Sequence, residues 1–279
     1  MPAAPAGPLD RQTEQEVMRY LAERLATPVG LDVWTRPESA LVLTDRDPCT
    51  HCAQTLATMR QLVRLHQALS VTAYDLERHA SRAAAAGVEM APTTIVRSRG
   101  HAVHVVGLCA GVLFPALLDL IGFLSQGATP LTDASREALG ALQAPLRLEL
   151  QVAPYDGYSA HLMRLTGALA AESRLVRLRI TEVGEFPLLA ARRGVTEVPL
   201  LTIEGRRFAG AWEEPALIEQ IGRIVAGNEA PVIRDHVYTM PFFTEEEAQR
   251  LAAEQATATG ATPAAPHSGL YVPGRDGPR

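Results

Sequence analysis

The sequence predicts an α/β protein built from two copies of one unit in tandem. Three observations predict it. β-prone runs alternate with helical patterns along most of the 279 residues, as expected for a sheet flanked by helices. The order of those runs occurs twice. Landmarks also recur in register: Cys49 precedes Pro92 by 43 residues, Asp156 precedes Pro199 by the same interval, and an offset of 107 carries Cys49 to Asp156 and Cys52 to Ser159. At roughly 100 to 200 residues per domain, the length also fits about two domains.

Thr13 and Glu16 form a capping box, and Val17, Leu21 and Leu25 fall on one helical face before Pro28 and Gly30 end the run. Two β-prone runs follow, Leu31 to Thr35 and Leu41 to Thr44, with an Arg36-Pro37-Glu38-Ser39 turn between them. Asp47-Pro48-Cys49-Thr50-His51-Cys52 then leads into a helix marked by Leu56, Met59, Leu62, Val63 and Leu69. A strand (71–75), an alanine-rich helix (78–86), a hairpin (93–96 with 102–106) and an apolar helix (112–124) complete the first unit. The second repeats the order: strand 146–152, helix 159–172, strand 175–180, short helix 187–193, a hairpin from Leu200 with Arg207-Phe208, and helix 215–225.

The expected division is a disordered N-terminus (1–9), a unit with the cysteine pair (10–126), a degenerate unit (127–228) and a partly disordered C-terminal extension (229–279). Within the first of these units, hairpin residues His101 and His104 read as ordinary strand or surface positions. A short helix (135–142) falls in the linker, and Thr244 with Glu247 caps one more helix to about Ala256. Residues 257–279, rich in Ala, Thr, Pro and Gly, read as disordered.

Composition narrows the function. Hydrophobic residues make up 47% and charged residues 20%, which suits a globular chain. A net charge of −5 gives no concentrated positive field, so nucleic acid is set aside as a partner. There is no lysine, which rules out Walker-type phosphate loops and Schiff-base catalysis. The N-terminus has no basic start followed by an apolar run, so a cytoplasmic protein is expected. The longest uncharged apolar stretch, 100–118, contains His101, His104, Gly107, Gly111 and Pro115 and does not read as a membrane span.

Three cysteines are too few for a secreted disulfide scaffold. Cys49 and Cys52 stand three apart where a strand feeds a helix, so both sulfurs come within bonding reach. The helix dipole would lower the thiol pKa of Cys49, placed first in the helix behind Pro48, while Cys52, a turn deeper, would be more buried and act second. Redox exchange competes with two other readings, a pair of inert buried cysteines and a zinc site. The further zinc ligands on offer are His51, His66, His79 and Cys109, none at a standard spacing. His51 either stabilises the Cys49 thiolate or is a solvated loop residue. Pro92 and Pro199 each precede a hairpin strand, where a cis bond competes with an ordinary trans proline. A cis bond would turn the Ala91–Pro92 peptide towards Cys49 and offer its backbone to a peptide by strand addition.

With Cys49-Thr50-His51-Cys52, Ala91-Pro92-Thr93, the Gly107-Leu108-Cys109-Ala110-Gly111 turn, Val198-Pro199 and Phe208-Ala209-Gly210-Ala211-Trp212 in view, residues 10–227 resemble the protein disulfide oxidoreductases, glutaredoxin-like proteins with two thioredoxin-fold units head to tail. The resemblance implies two thioredoxin-like units, each with a central mixed sheet flanked by helices, and exchange of disulfides with protein thiols. It makes Cys49 the nucleophile and Cys52 the resolving thiol, with Ala91, Pro92 and Gly107 lining the substrate edge. The redox group is the cysteine pair itself, with no other cofactor and no metal. An electron donor is implied, with a thioredoxin-reductase-like flavoenzyme as the candidate.

The second unit departs from that pattern. It reads Asp156-Gly157-Tyr158-Ser159 where the family usually has a second cysteine pair, which predicts a redox-inert unit with Asp156 as a solvated helix cap and Tyr155, Tyr158 and Trp212 as packing or docking surface. Cys109 is either a semi-buried packing residue or a third thiol able to attack the disulfide. The rival reading from another class is a non-catalytic interaction module that docks a partner through Tyr238, Pro241, Phe242 and Phe243.

Overall fold

The computed structural model describes residues 8–37, 47, 49–228 and 230–258. The expected strand 41–44, Glu38 and Ser39 of the turn before it, Pro48 and both chain ends lie outside them. The elements are α1 (Arg11–Arg24), β1 (Val29–Thr35), α2 (Cys52–Leu65), β2 (Leu69–Asp75), α3 (Ala80–Ala86), β3 (Thr93–Ser98), β4 (His101–Val106), α4 (Leu113–Gln126), α5 (Asp133–Gly140), β5 (Leu146–Val152), α6 (Gly157–Glu172), β6 (Val176–Glu182), α7 (Pro187–Arg193), β7 (Glu197–Val198), β8 (Leu200–Ile203), β9 (Arg206–Ala209), α8 (Glu214–Val225), β10 (Met240–Pro241) and α9 (Glu245–Ala258).

The repeat read from the sequence is visible in the strand pairing. In the first half β1 lies between β2, parallel, and β3, antiparallel, and β4 closes a hairpin on β3. In the second half β5 lies between β6 and β8 in the same senses, and β9 closes the hairpin. Gly87 and Gly194, themselves 107 apart, end α3 and α7 in the left-handed conformation.

The halves do not remain separate layers. β4 pairs in parallel with β6 through His104↔Arg179, Val105↔Ile180 and Val106↔Thr181, giving one mixed sheet in the order β2-β1-β3-β4-β6-β5-β8-β9. A single apolar cluster runs through both halves, from Leu21 and Val33 to Leu150 and Ile221. Two helices cover the junction. α4 is almost wholly apolar and buried, and its one charge, Asp119, is paired 2.6 Å from Arg164 of α6 and hydrogen-bonded by Tyr20 of α1. Burying so many apolar side chains at about 25 cal/mol per Å2 makes this junction a major source of stability.

Several expectations are corrected. α1 starts at Arg11, with the Asp10 carboxylate accepting from Thr13 N at 2.8 Å, so the acid three residues upstream holds the cap and Thr13 sits inside the helix. Leu9 is not part of a loose end: it is buried, and its backbone N and O both bond the buried Gln61 amide, at 2.9 and 2.8 Å. Thr257 and Ala258 belong to α9, whose start carries the expected capping box between Thr244 and Glu247.

The C-terminal aromatic patch docks on this chain itself. β10 pairs antiparallel with β7, Phe242 packs against the apolar cluster that contains Val183, Val195 and Val198, and Phe243 N donates to Tyr155 Oη at 2.7 Å. Tyr238 stacks on Tyr158 with centroids 5.4 Å apart. Trp212 is buried, with Arg234 over its ring at 3.9 Å. Among the described residues, no helix is long and apolar enough to cross a membrane.

Candidate active site

Cys49 and Cys52 are joined by a disulfide across a Cα–Cα distance of 5.5 Å. The helix begins one turn later than expected. α2 starts at Cys52, His51 occupies the cap position, and the first helical bond runs from Thr55 N to His51 O at 2.8 Å. Cys49 therefore lies in the turn ahead of the helix, not inside it. It is partly exposed, whereas Cys52 is 5% exposed and takes a 3.1 Å hydrogen bond from Arg36 N. Access alone separates the two sulfurs: a visiting group reaches Cys49 first.

The pair rests on an apolar floor that contains Trp34, Leu76, Ala91 and Ile95, with Trp34 stacked on Tyr74 at 4.5 Å. The Ala91–Pro92 bond is cis, as is Val198–Pro199. Ala91 belongs to the same cluster as Cys52, against which Cys49 packs. Gly107 N donates to Pro92 O at 2.9 Å, and Gly210 N to Pro199 O at 2.8 Å. Gly107 adopts φ 91°, and a side chain there would meet Glu182 Cβ at 2.9 Å. Only glycine fits this turn without displacement.

His51 is not a solvated loop residue. Its Nδ1 lies 3.2 Å from Gln54 Oε1 and its Nε2 2.8 Å from Glu245 Oε2 on α9. Burial pulls the imidazole pKa down, but the Glu245 hydrogen bond, the charges of Glu185 and Glu245 and the Gln54 bond outweigh it, and the net shift is upward. The protonated ring is thus favoured beside the cysteine pair.

Two further carboxyls come from the degenerate half, and sequence reasoning missed both. Glu185 accepts from Leu108 N, and Glu182 from Gly184 N and Glu185 N. Burial pushes Glu182 up to about 8, helped by the charge of Glu185, and burial pushes Glu185 up to about 7. These acids line a cavity of about 330 Å3 together with His51, Leu108, Tyr155 and Phe243. The turn after Gly107, the end of β6 and the C-terminal segment thus meet at His51.

Asp47 ties the motif to the second half from the other side. Its carboxylate accepts from Leu188 N at 2.8 Å and Leu189 N at 3.1 Å, capping α7 from 141 residues away.

The second unit has the shape of the site without its chemistry. Ser159 Oγ donates to Asp156 Oδ2 at 2.6 Å, spanning the interval that the disulfide spans in the first unit, and Ala153 N donates to Ser159 Oγ as Arg36 N does to Cys52 Sγ. Asp156 does cap α6, but it is 1% exposed and not solvated. Cys109 lies in the main core at 3% exposure, and burial together with Glu182 and Glu185 drives its thiol pKa far upward. It packs in the core and does not join the pair. Among the described residues, no group of three or more His, Cys, Asp or Glu side chains is arranged to hold a metal ion.

No protein-family model matches the sequence, and no curated protein matches it. Solved structures do. The crystal structure of a protein disulfide oxidoreductase from Aeropyrum pernix K1 aligns with a TM-score of 0.69 and 24% identity over 80% of this chain and 96% of that one. The NTD_N/C domain of alkylhydroperoxide reductase AhpF from Enterococcus faecalis aligns at 0.66 and 15% identity over 76% and 99%. Sso1120 from Sulfolobus solfataricus aligns at 0.50 and 11% over 69% and 96%. These likenesses bear on the fold: a large mixed sheet flanked by helices, as in thioredoxin-fold proteins.

Proposed function

We propose that the protein is a thiol-disulfide oxidoreductase that exchanges disulfides with protein substrates through Cys49 and Cys52 alone. The observation that carries the reading is the disulfide itself, one sulfur reachable and the other buried, beside a cis-proline edge. In the reductive direction the Cys49 thiolate attacks a client disulfide, forming a mixed disulfide and releasing one client thiolate, which takes up a proton. Cys52 loses its proton and attacks Cys49 Sγ, the second client thiol departs, and the Cys49–Cys52 bond holds the two electrons' worth of oxidation. The same residues run the reverse step on client thiols. Ala91, Pro92 and Gly107 supply the backbone edge along which an extended client lies.

The scarcity of cysteines supports a reducing, cytoplasmic setting. There the pair needs a donor of electrons, for which a thioredoxin-reductase-like flavoenzyme is the chemical fit.

Insulin reduction with dithiothreitol tests the activity. Wild type should precipitate the insulin B chain faster than dithiothreitol alone, and Cys49→Ser should fall to the uncatalysed rate. A wild-type rate equal to background would leave the interaction-module reading in its place. That reading has lost one support, because the aromatic patch meant for a partner is bound within the chain.

A further inference from the structure

The degenerate unit's cis-proline edge is already occupied by this chain. Met240 pairs with Val198 and Pro241 with Glu197, immediately before cis-Pro199. Tyr238 O accepts from Ala211 N at 2.9 Å, and Phe242 N donates to Thr196 O at 3.0 Å. The segment is anchored along its course by Arg234, whose guanidinium donates to Ala211 O and Ala209 O at 2.9 and 2.7 Å, by Phe242 in its apolar cluster and by Phe243 against Tyr155. Immediately beyond these anchors Thr244 caps α9, and the first residue of that helix, Glu245, reaches His51 inside the cysteine motif of the other unit.

The arrangement is directional. A two-residue strand is too short to hold a segment in place alone, yet the aromatic and arginine anchors fix where α9 begins. The fixed start sets a carboxylate 2.8 Å from an imidazole 194 residues away. Glu245 is partly exposed, so the pair gains less than a buried one would, but His51 is largely covered and the cavity beside it is lined by carboxyls.

We propose that residues 230–258 act as an intrachain strap, seated in the degenerate unit's peptide edge, that makes Glu245 a positioning residue for the redox centre: Glu245 orients His51 and holds its proton, and His51 in turn favours the Cys49 thiolate. The inference rests on the reading of Cys49 as the nucleophile. It gives the inert unit a task, since its vacated client edge becomes the anchorage of a residue that tunes the live unit. The groups facing His51 are Glu245 from α9, Glu185 from the turn after β6 and Gln54 from α2, with Glu182 on the same cavity wall. Glu185 remains when Glu245 is removed, so the effect of Glu245 should be partial.

The test uses the full chain with Glu245→Gln and, as a second variant that leaves the carboxylate in place, Phe242→Ala, both checked for a wild-type circular dichroism spectrum. Imidazole titration by NMR in the oxidised protein should show the His51 midpoint lowered by about 0.5 to 1 pH unit in Glu245→Gln. In the reduced protein, thiolate absorbance at 240 nm should show the Cys49 midpoint raised, and equilibration with glutathione should shift towards the disulfide by about two- to fivefold. Phe242→Ala should move all three in the same direction, and Glu245→Asp should recover part of the change.

A folded Glu245→Gln protein with an unmoved His51 midpoint overturns the proposal, as does a moved His51 with an unmoved Cys49. If both midpoints move while wild type fails to reduce insulin, the strap stands and the proposed activity falls.

Discussion

The Asp47 carboxylate, two residues before Cys49, caps the start of α7 in the opposite unit through Leu188 N at 2.8 Å. The motif loop is therefore fixed to the degenerate half by a helix terminus whose orphan N–H groups need an acceptor. The bond also explains how α7 manages without a local cap, since Phe186 at its cap position has no side-chain oxygen.

Removing that acceptor should cost both stability and order at the site. Asp47→Ala is expected to lose about 1 kcal/mol, within the usual range of about 0.5 to 2 for a lost cap, and to lower the melting temperature by about 2 to 4 °C for a chain of this size. Asp47→Asn keeps an acceptor and should retain most of it. Thermal melts of the two variants measure this, and equal melting temperatures for Asp47→Ala and wild type would show that the contact carries no energy.

Stability should fall as pH rises from about 6.5 to 8.5, above the range in which the lowered pKa values of His101 and His104, set by burial, pull the other way. Glu182 and Glu185 have folded pKa values raised to about 8 and about 7 from an ordinary 4.5. Between those limits the folded chain keeps protons that the unfolded chain releases, so their contribution is fully present below about 4.5 and lost as pH climbs through the folded values. His51 has the same sign, its folded pKa being raised from 6.5. Melting temperatures across this range should slope downward, and Glu182→Gln, which has no proton to lose, should flatten the slope. A wild-type melting temperature that climbs from about pH 6.5 to 8.5 would contradict the assignment.

Cys109 should behave as a core atom. A thiol reagent added to the reduced native protein is expected to modify the partly exposed Cys49 first, and Cys109 only on unfolding, because Cys109 is buried with its thiolate strongly disfavoured. Three thiols reacting at one rate in the folded protein would restore the third-thiol reading. Cys109→Ala should leave insulin reduction intact.

Local chemistry was legible in the sequence, and contacts across the chain were not. The bounds of β5 and α7 follow from alternation and from Pro187 at a helix start, and the repeat follows from paired landmarks. The cysteine pair announces itself because three residues bring two sulfurs together whatever surrounds them. Glu245, Glu185 and Asp47 carry no such mark. Their roles come from the β4–β6 pairing and from the strap, which bring together residues 194, 134 and 141 apart. Asp10 shows a different failure: Thr13 and Glu16 match a capping box, but Asp10, three residues earlier, accepts from Thr13 N and starts the helix one turn sooner, which leaves Thr13 inside it. Trp34 stayed hidden as one more residue in an apolar strand.

Ser159 Oγ and Asp156 Oδ2 lie 2.6 Å apart at the sequence spacing of Cys49 and Cys52, so Asp156→Cys with Ser159→Cys should close a second disulfide on oxidation, at a cost of about 1 kcal/mol for the lost helix cap. That new pair should still be inert towards protein substrates. Both positions are at most 1% exposed, and the adjoining edge is paired with Met240 and Pro241. In a Cys49→Ser background the double variant is therefore expected to lose its two introduced thiols on oxidation while reducing insulin no faster than dithiothreitol. Reduction well above that rate would mean that clients displace the C-terminal segment, and that absence of cysteines, not occupancy of the edge, is what keeps this unit silent.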